Sequence, residues 1–296
     1  MYLDDKGTIH SVLGVLYLRG LTRPLDPPRS RWPLVCRALR EADPNLGQAA
    51  RVLREAQLWE EALVLDSPGV LAWGVDHAGE FLTPVCPFYP VNWRRRLGRS
   101  APPAVWQRVD GGFHPPAGLI GVVGRRQPSS EEGDFAFAVA EEAHRLDYGL
   151  VSGGAEGCDR SAYRGIAQFE DSRIVTLHPC GLRHAPSLFG VSLSVCAPGE
   201  PFSTAGAMER NGLIYSAAEA TVVAAAQFRA GGSWHGAVDA LRRRLGPVFV
   251  RPDGSPAMRA LASLGARPLE QPDDLGRKLA DLEASEGAQP ALFALG

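Results

Sequence analysis

Lysine is nearly absent from this chain. Of its 31 basic residues only Lys6 and Lys278 are lysine, and the other 29 are arginine. An excess of either charge sign is absent too. The formal net charge is −2, so no global field drives the chain onto nucleic acid. A GC-rich genome is the plain explanation of the arginine bias; the other is contact with phosphate through local guanidinium forks, whose planar donors suit phosphate oxygens. Cysteine is scarce and unpatterned. Cys36, Cys86, Cys158, Cys180 and Cys196 are odd in number and contain no Cys-x-x-Cys pair. That excludes a zinc ribbon and a disulfide framework and points to a reducing, cytoplasmic setting. Long apolar runs are missing: the stretch over 12–18 is far too short to span a bilayer. The opening Met-Tyr-Leu-Asp-Asp lacks the basic lead of a signal peptide. Catalytic signatures are missing as well. The chain has no Gly-x-Ser-x-Gly, no His-Glu-x-x-His, no kinase signature and no clustered His/Asp metal set, and its seven histidines are dispersed.

What remains is a chain of 296 residues with 45% apolar and 22% charged content, a globular composition with room for one large domain or two ordinary ones. Four prolines over 23–33 predict a rigid connection. Leu34, Val35, Ala38 and Leu39, then Ala49, Val52, Leu53 and Ala56, recur at helical spacing, with Pro44 and Gly47 as breaks. A small helical domain is therefore expected over 1–75. Residues 66–117 read as irregular. From Gly118 the pattern changes to short apolar runs separated by helical stretches. Strands are expected at 119–123, 149–151, 173–177, 193–197, 221–225 and 247–250. Helices are expected at 133–147, 159–168, 207–217, 234–245 and 256–264, the first behind a capping box begun by Ser129. Continuous apolar strands alternating with helices predict an α/β fold, a doubly wound parallel sheet covered on both faces. That domain is placed at 76–268, with a short tail, a helix and a frayed end, over 269–296.

In such a sheet ligands lie beyond the carboxyl ends of the strands. After the first strand comes Gly124-Arg125-Arg126, a turn where backbone can approach phosphate and two arginines can fork onto it. It is neither Gly-x-Gly-x-x-Gly nor a Walker A motif, and a tight turn with exposed arginines is the plain alternative. The second strand leads into Ser152-Gly153-Gly154-Ala155-Glu156-Gly157-Cys158-Asp159-Arg160, whose glycines open an anion cradle of backbone donors. Asp159 either caps the next helix or accepts from a ligand. Cys158 is either a reactive thiol or small buried filler. Arg210 and Asn211 stand at the start of an apolar helix, and Gly231-Gly232-Ser233 precedes another, with Ser233 as a helix cap or phosphate ligand. Every one of these loops offers anion donors and none offers a nucleophile with its base.

The ordered set of motifs resembles the DNA-processing protein A (DprA/Smf) family. Gly-x-Arg follows strand one, Ser-Gly-x-Ala-x-Gly-x-Asp follows strand two, and Arg-Asn comes later. Phe88-Tyr89-Pro90 and the run 101–106 resemble the family's lead-in to the first strand. The stretches 244–254 and 261–266 resemble its closing motifs, so the likeness covers roughly residues 80–268. The resemblance implies an extended Rossmann-like fold that binds single-stranded DNA, protects incoming strands in natural transformation and helps load the RecA recombinase as a homodimer. It implies no metal, no cofactor, no membrane and no catalytic reaction. Carried over, Gly124 and Arg126 fill the first motif and Ser152, Gly153, Ala155, Gly157 and Asp159 the second. Arg210 and Asn211 fill the third, and Gly232 and Ser233 the Ser-Gly-Ser turn. Glu156 and Gly212 stand where the family carries arginine. Arg125 and Arg160 are candidates to replace those cations. No winged-helix module fits in the last 28 residues.

Two other classes stay open at this point. One is a nucleotide sensor or nucleoside-phosphate hydrolase, like the cytokinin-activating phosphoribohydrolases. Against hydrolysis, 231–236 lacks their proline and catalytic glutamate. The other is a protein-interaction scaffold whose glycine loops are structural only.

Overall fold

The structure, a computed structural model, describes residues 34–35, 37–39, 41–42, 46–65, 81–82, 89–102, 105–111 and 118–287. The proline-bearing connection over 23–33, Pro44, Phe88, Pro103, Ala104, Cys36 and Cys86 lie outside the described residues.

In chain order the elements are α1 (Leu46–Glu55), α2 (Trp59–Leu65), β1 (Phe81–Leu82), α3 (Val91–Leu97), β2 (Val105–Asp110), β3 (Leu119–Val123), α4 (Ser130–Arg145), β4 (Gly149–Ser152), α5 (Cys158–Ala167), β5 (Ile174–Leu177), β6 (Gly190–Ser194), α6 (Thr204–Ala217), β7 (Ala220–Val223), α7 (Gly231–Arg243), β8 (Val248–Val250), α8 (Pro256–Ser263), β9 (Arg267–Pro268) and α9 (Leu275–Gly287). They form two compact units, one made of the described residues up to Asp110 with His178–Gly206, the other of Gly111–Leu177 with the chain from Ala207.

In the first unit the amino-terminal helices bury Leu39, Ala49, Leu53, Leu58 and Ala62 in a core of their own. The stretch read as irregular holds α3 and β2, and its strands run antiparallel. β1 pairs with β2, and β2 pairs with β6 from Trp106↔Ser194 to Asp110↔Gly190. That register also moves β6 to Gly190–Ser194 from the expected 193–197. The expectation followed the densest apolar run, but pairing with β2 selects the Val191/Leu193 alternation just before it. The Tyr-Pro lead-in has a structural cause. Tyr89 is buried edge-on against Trp93, with ring centroids 5.2 Å apart, and its hydroxyl donates to the Pro102 carbonyl at 2.6 Å, tying both flanks of α3 together.

The second unit carries the parallel sheet. Its strands lie in the order β5-β4-β3-β7-β8-β9, and the five pairings are parallel. Counted along this unit, that is 3-2-1-4-5-6, the strand order of dinucleotide-binding sheets. Every residue of β3, β4, β5 and β7 is buried, as expected of strands covered on both faces. Ile120, Val122, Leu150 and Val222 share one core with Val139 of α4, Ile166 of α5 and Leu275, Leu279 and Leu282 of α9. The helices α6, α7 and α8 bury Ile214, Ala237, Ala240 and Leu261. The capping box forms at the head of α4: Ser129 Oγ accepts from Glu132 N at 3.3 Å, and Glu132 Oε2 accepts from Ser129 N at 2.7 Å.

The strand order reverses between β3 and β7. The crevice beyond their carboxyl ends is where such sheets take ligands.

Candidate nucleic-acid interface

Three segments of the second unit converge on one carboxylate. Asp159 lies in the first turn of α5 and is only 4% exposed. Its Oδ1 accepts from Gly124 N at 3.3 Å, and its Oδ2 from Ala155 N at 3.4 Å. Asp159 is therefore not the cap of α5, a place taken by Gly157. It joins the loop after β3 to the loop after β4. The Arg210 guanidinium closes the corner from α6: a Cβ added to Gly153 would run into it, and would sit 2.9 Å from Asp159 Oδ2. Only glycine fits there. Ser152 Oγ donates to the Val122 carbonyl at 3.0 Å and also bonds the Asp159 carboxyl.

Burial pushes the Asp159 carboxyl above its ordinary range. The Arg210 charge, the amides of Ala155 and Gly124 and the Ser152 hydroxyl offset part of that shift. The phenol of Tyr215, buried on α6, is raised by its own burial and by the Asp159 charge. An ionisable group held at a strand-end crevice by a guanidinium and two amides marks a place built for charge.

The loops themselves are shaped by close approach. Gly157 adopts φ 86, and a Cβ there would strike the carbonyls of Arg125 and Arg126. Cys158 N donates to Arg125 O at 3.2 Å, and the Cys158 side chain packs beneath Gly124. Burial, then the charges of Asp159 and Glu132, push its thiol up to about 12. Cys158 is filler, not a nucleophile.

The arginines divide into two groups. Arg125 turns to Glu132, with Nε at 2.8 Å and Nη2 at 2.5 Å from Oε2. Arg160 pairs with Glu156 at 3.2 Å on the exposed face of α5. The Arg126 side chain is exposed and makes no ion pair with a described residue. Asn211 Nδ2 donates to the Gly232 carbonyl at 3.4 Å, which links α6 to the head of α7. Because α6 begins at Thr204, three residues earlier than expected, Arg210 and Asn211 lie inside the helix and not at its start. Ser233 is not a cap either, since Ala230 holds that position without a side-chain bond. Gly154, at φ 63, completes the cradle loop. Where the family has a further arginine, Gly212 leaves space into which Arg243 reaches, its Nη1 3.8 Å from where a Cβ would stand.

The structure thus brings together Gly124, Ser152, Gly153, Ala155, Asp159 and Arg210, and joins Asn211 to Gly232. It leaves Arg126 and Ser233 outside that network. Reading the sequence did not identify Glu132 as the partner of Arg125, nor Tyr215 beside Asp159. Glu132 was legible only as half of a capping box, and Tyr215 only as an apolar helix residue. Among the described residues no cluster of His, Cys, Asp and Glu is placed to hold a metal ion, and no helix is long and apolar enough to cross a membrane.

Comparison with known proteins adds three findings. The family model described as DNA recombination-mediator protein A matches residues 80–279. The fold is similar to a DNA processing protein A (DprA) from Streptococcus pneumoniae, with TM-score 0.58 and 21% identity over 83% of this chain and 92% of that one. It is also similar to DNA processing protein A from Helicobacter pylori, whose structure is described for its single-stranded DNA binding mode. There the TM-score is 0.55 and the identity 19%, over 69% of this chain and 95% of that one. No curated protein sequence matches.

Proposed function

This chain belongs to the DNA recombination-mediator protein A family, and on that footing we propose that it binds single-stranded DNA through the sugar–phosphate backbone. The contact lies at the carboxyl ends of β3, β4 and β7. One observation carries the reading: Arg126 stands exposed just beyond the carboxyl end of β3, beside the point where the strand order reverses, and makes no ion pair with a described residue. The Gly124 and Ala155 amides and Arg210 are occupied by Asp159 and hold the two loops in place behind that cation, while the glycine-opened loop after β4 lets a phosphate chain come close. Arg126, exposed at the end of β3, supplies the cation that the internal pairs of Arg125 and Arg160 do not. The protein acts by binding; no reaction, metal or cofactor is part of the proposal. Its place is in DNA processing: handling of incoming single strands during natural transformation and delivery of those strands to the RecA recombinase, as a homodimer in the cytoplasm. Family membership supports these roles.

Titrating a labelled oligothymidine by fluorescence anisotropy tests the central claim. Binding should weaken steeply with salt as counterions are released, and Arg126→Ala should lower the slope of log K against log salt by about 1. No binding at low salt would remove the proposal.

A further inference from the structure

One element beside the phosphate site takes no part in it. After β7 the chain runs through three alanines into a tight turn in which Gln227 and Ala230 face each other as an isolated bridge, with Ala230 N donating to Gln227 O at 3.1 Å. Phe228 and Arg229 form the tip. Arg229 sits at φ 58, a left-handed conformation that its side chain disfavours, and Gly231 follows at φ 76. The Phe228 ring has two close neighbours. It meets the buried Trp234 in a T-shaped contact, with centroids 5.1 Å apart at 71°, and the Arg229 guanidinium lies over the ring, 5.1 Å from its centroid. Yet Phe228 stays 43% exposed.

A lone exposed phenylalanine is ordinary. This one is fixed in orientation, carried on a strained tip and paired with a cation. It also follows β7, one of the two strands at which the sheet order reverses; the other, β3, is followed by Gly124 and Arg126. The helix head just after the turn is the one that Asn211 holds through Gly232. An unpaired strand presents apolar base faces that a phosphate site leaves in water, whereas in a duplex those faces already stack on each other. A rigid aromatic ring beside a phosphate track covers such a face for any base.

We infer that Phe228, extended by Arg229, is a stacking platform for a nucleobase of the bound single strand and sets the preference for unpaired over duplex DNA. This rests on the single-strand reading above.

The test compares wild type, Phe228→Leu and Phe228→Tyr on a short oligothymidine and on an abasic deoxyribose-phosphate strand of equal length. Leucine keeps the apolar packing on Trp234, and a thermal melt checks that the variant is folded. Phe228→Leu should bind oligothymidine roughly tenfold more weakly. Its affinity for the abasic strand and its salt slope should stay as in wild type, and Phe228→Tyr should restore oligothymidine binding. Unchanged oligothymidine binding in Phe228→Leu, or an equal loss on both strands, overturns the platform while leaving the phosphate site standing. If wild type binds neither strand at low salt, both proposals fall.

Discussion

Asp159 shows why a single residue carries the corner. A carboxylate withdrawn from water costs free energy unless it is paired and hydrogen-bonded, and its pKa reports the balance. Here burial outweighs the Arg210 charge and the two amides, because the folded-state value is raised. The sign of the pH dependence follows. With the folded pKa above the unfolded one, near ~3.9 for aspartate, the group's contribution to stability is full below the unfolded value. It is lost as pH rises through the folded one. The difference in unfolding free energy between wild type and Asp159→Asn should therefore grow as pH falls from neutral towards ~4. Urea titrations at stepped pH measure it. A difference that grows with rising pH instead would mean that the Arg210 pairing dominates burial. The residue type was legible in the Gly-x-Asp motif; its partners were not, since Gly124 and Arg210 lie far from it along the chain.

At the scale of elements the head of α4 does two jobs. The capping box stabilises the helix start, and the same Glu132 carboxylate takes the Arg125 guanidinium out of the loop beyond β3. Spacing alone predicts the first role, because a cap is a local hydrogen-bond pattern. The second needs the loop to fold back onto the helix. Glu132→Gln keeps an acceptor for Ser129 N and removes the charge that holds Arg125. Unfolding stability should fall by about 1 kcal/mol or less. The freed guanidinium should steepen the salt dependence of oligothymidine binding by about 1 in the slope. Chemical denaturation and anisotropy titration read the two effects separately. A slope identical to wild type would show that Arg125 stays turned away without its partner.

At the scale of the whole molecule, the parallel unit is closed by its last helix. Leu275, Leu279 and Leu282 of α9 enter the same core as Ile120, Val139 and Leu150. Leu279→Ala should cost about 2–4 kcal/mol, as for a buried leucine truncated in a packed core. The shift of the denaturation midpoint measures it, and a loss below 1 kcal/mol would mean that α9 is only loosely docked. A short helix was expected in the tail from 269, outside the sheet domain; that its leucines enter the core of that domain is a matter of tertiary packing. The strands that the sequence marked most clearly, β3 and β4, are the ones buried on both faces. Those of the antiparallel unit were harder, because β2 is rich in polar residues and only partly buried, and a two-residue strand such as β1 has no pattern at all.

The sequence by itself determined the parallel α/β class, the position of the glycine-opened strand ends and arginine as the cation at those ends. These depend on local composition and on periods of two and 3.6 residues. Only the tertiary structure decided which arginines are occupied, that Arg210 closes over Gly153 onto Asp159, that Cys158 is buried, and that Phe228 is held against Trp234. The Arg210, Gly153 and Asp159 corner and the packing of Cys158 under Gly124 join residues distant along the chain, and the nearer pairs depend on how a loop folds back onto a helix; no local pattern encodes which side chain will fill a given space.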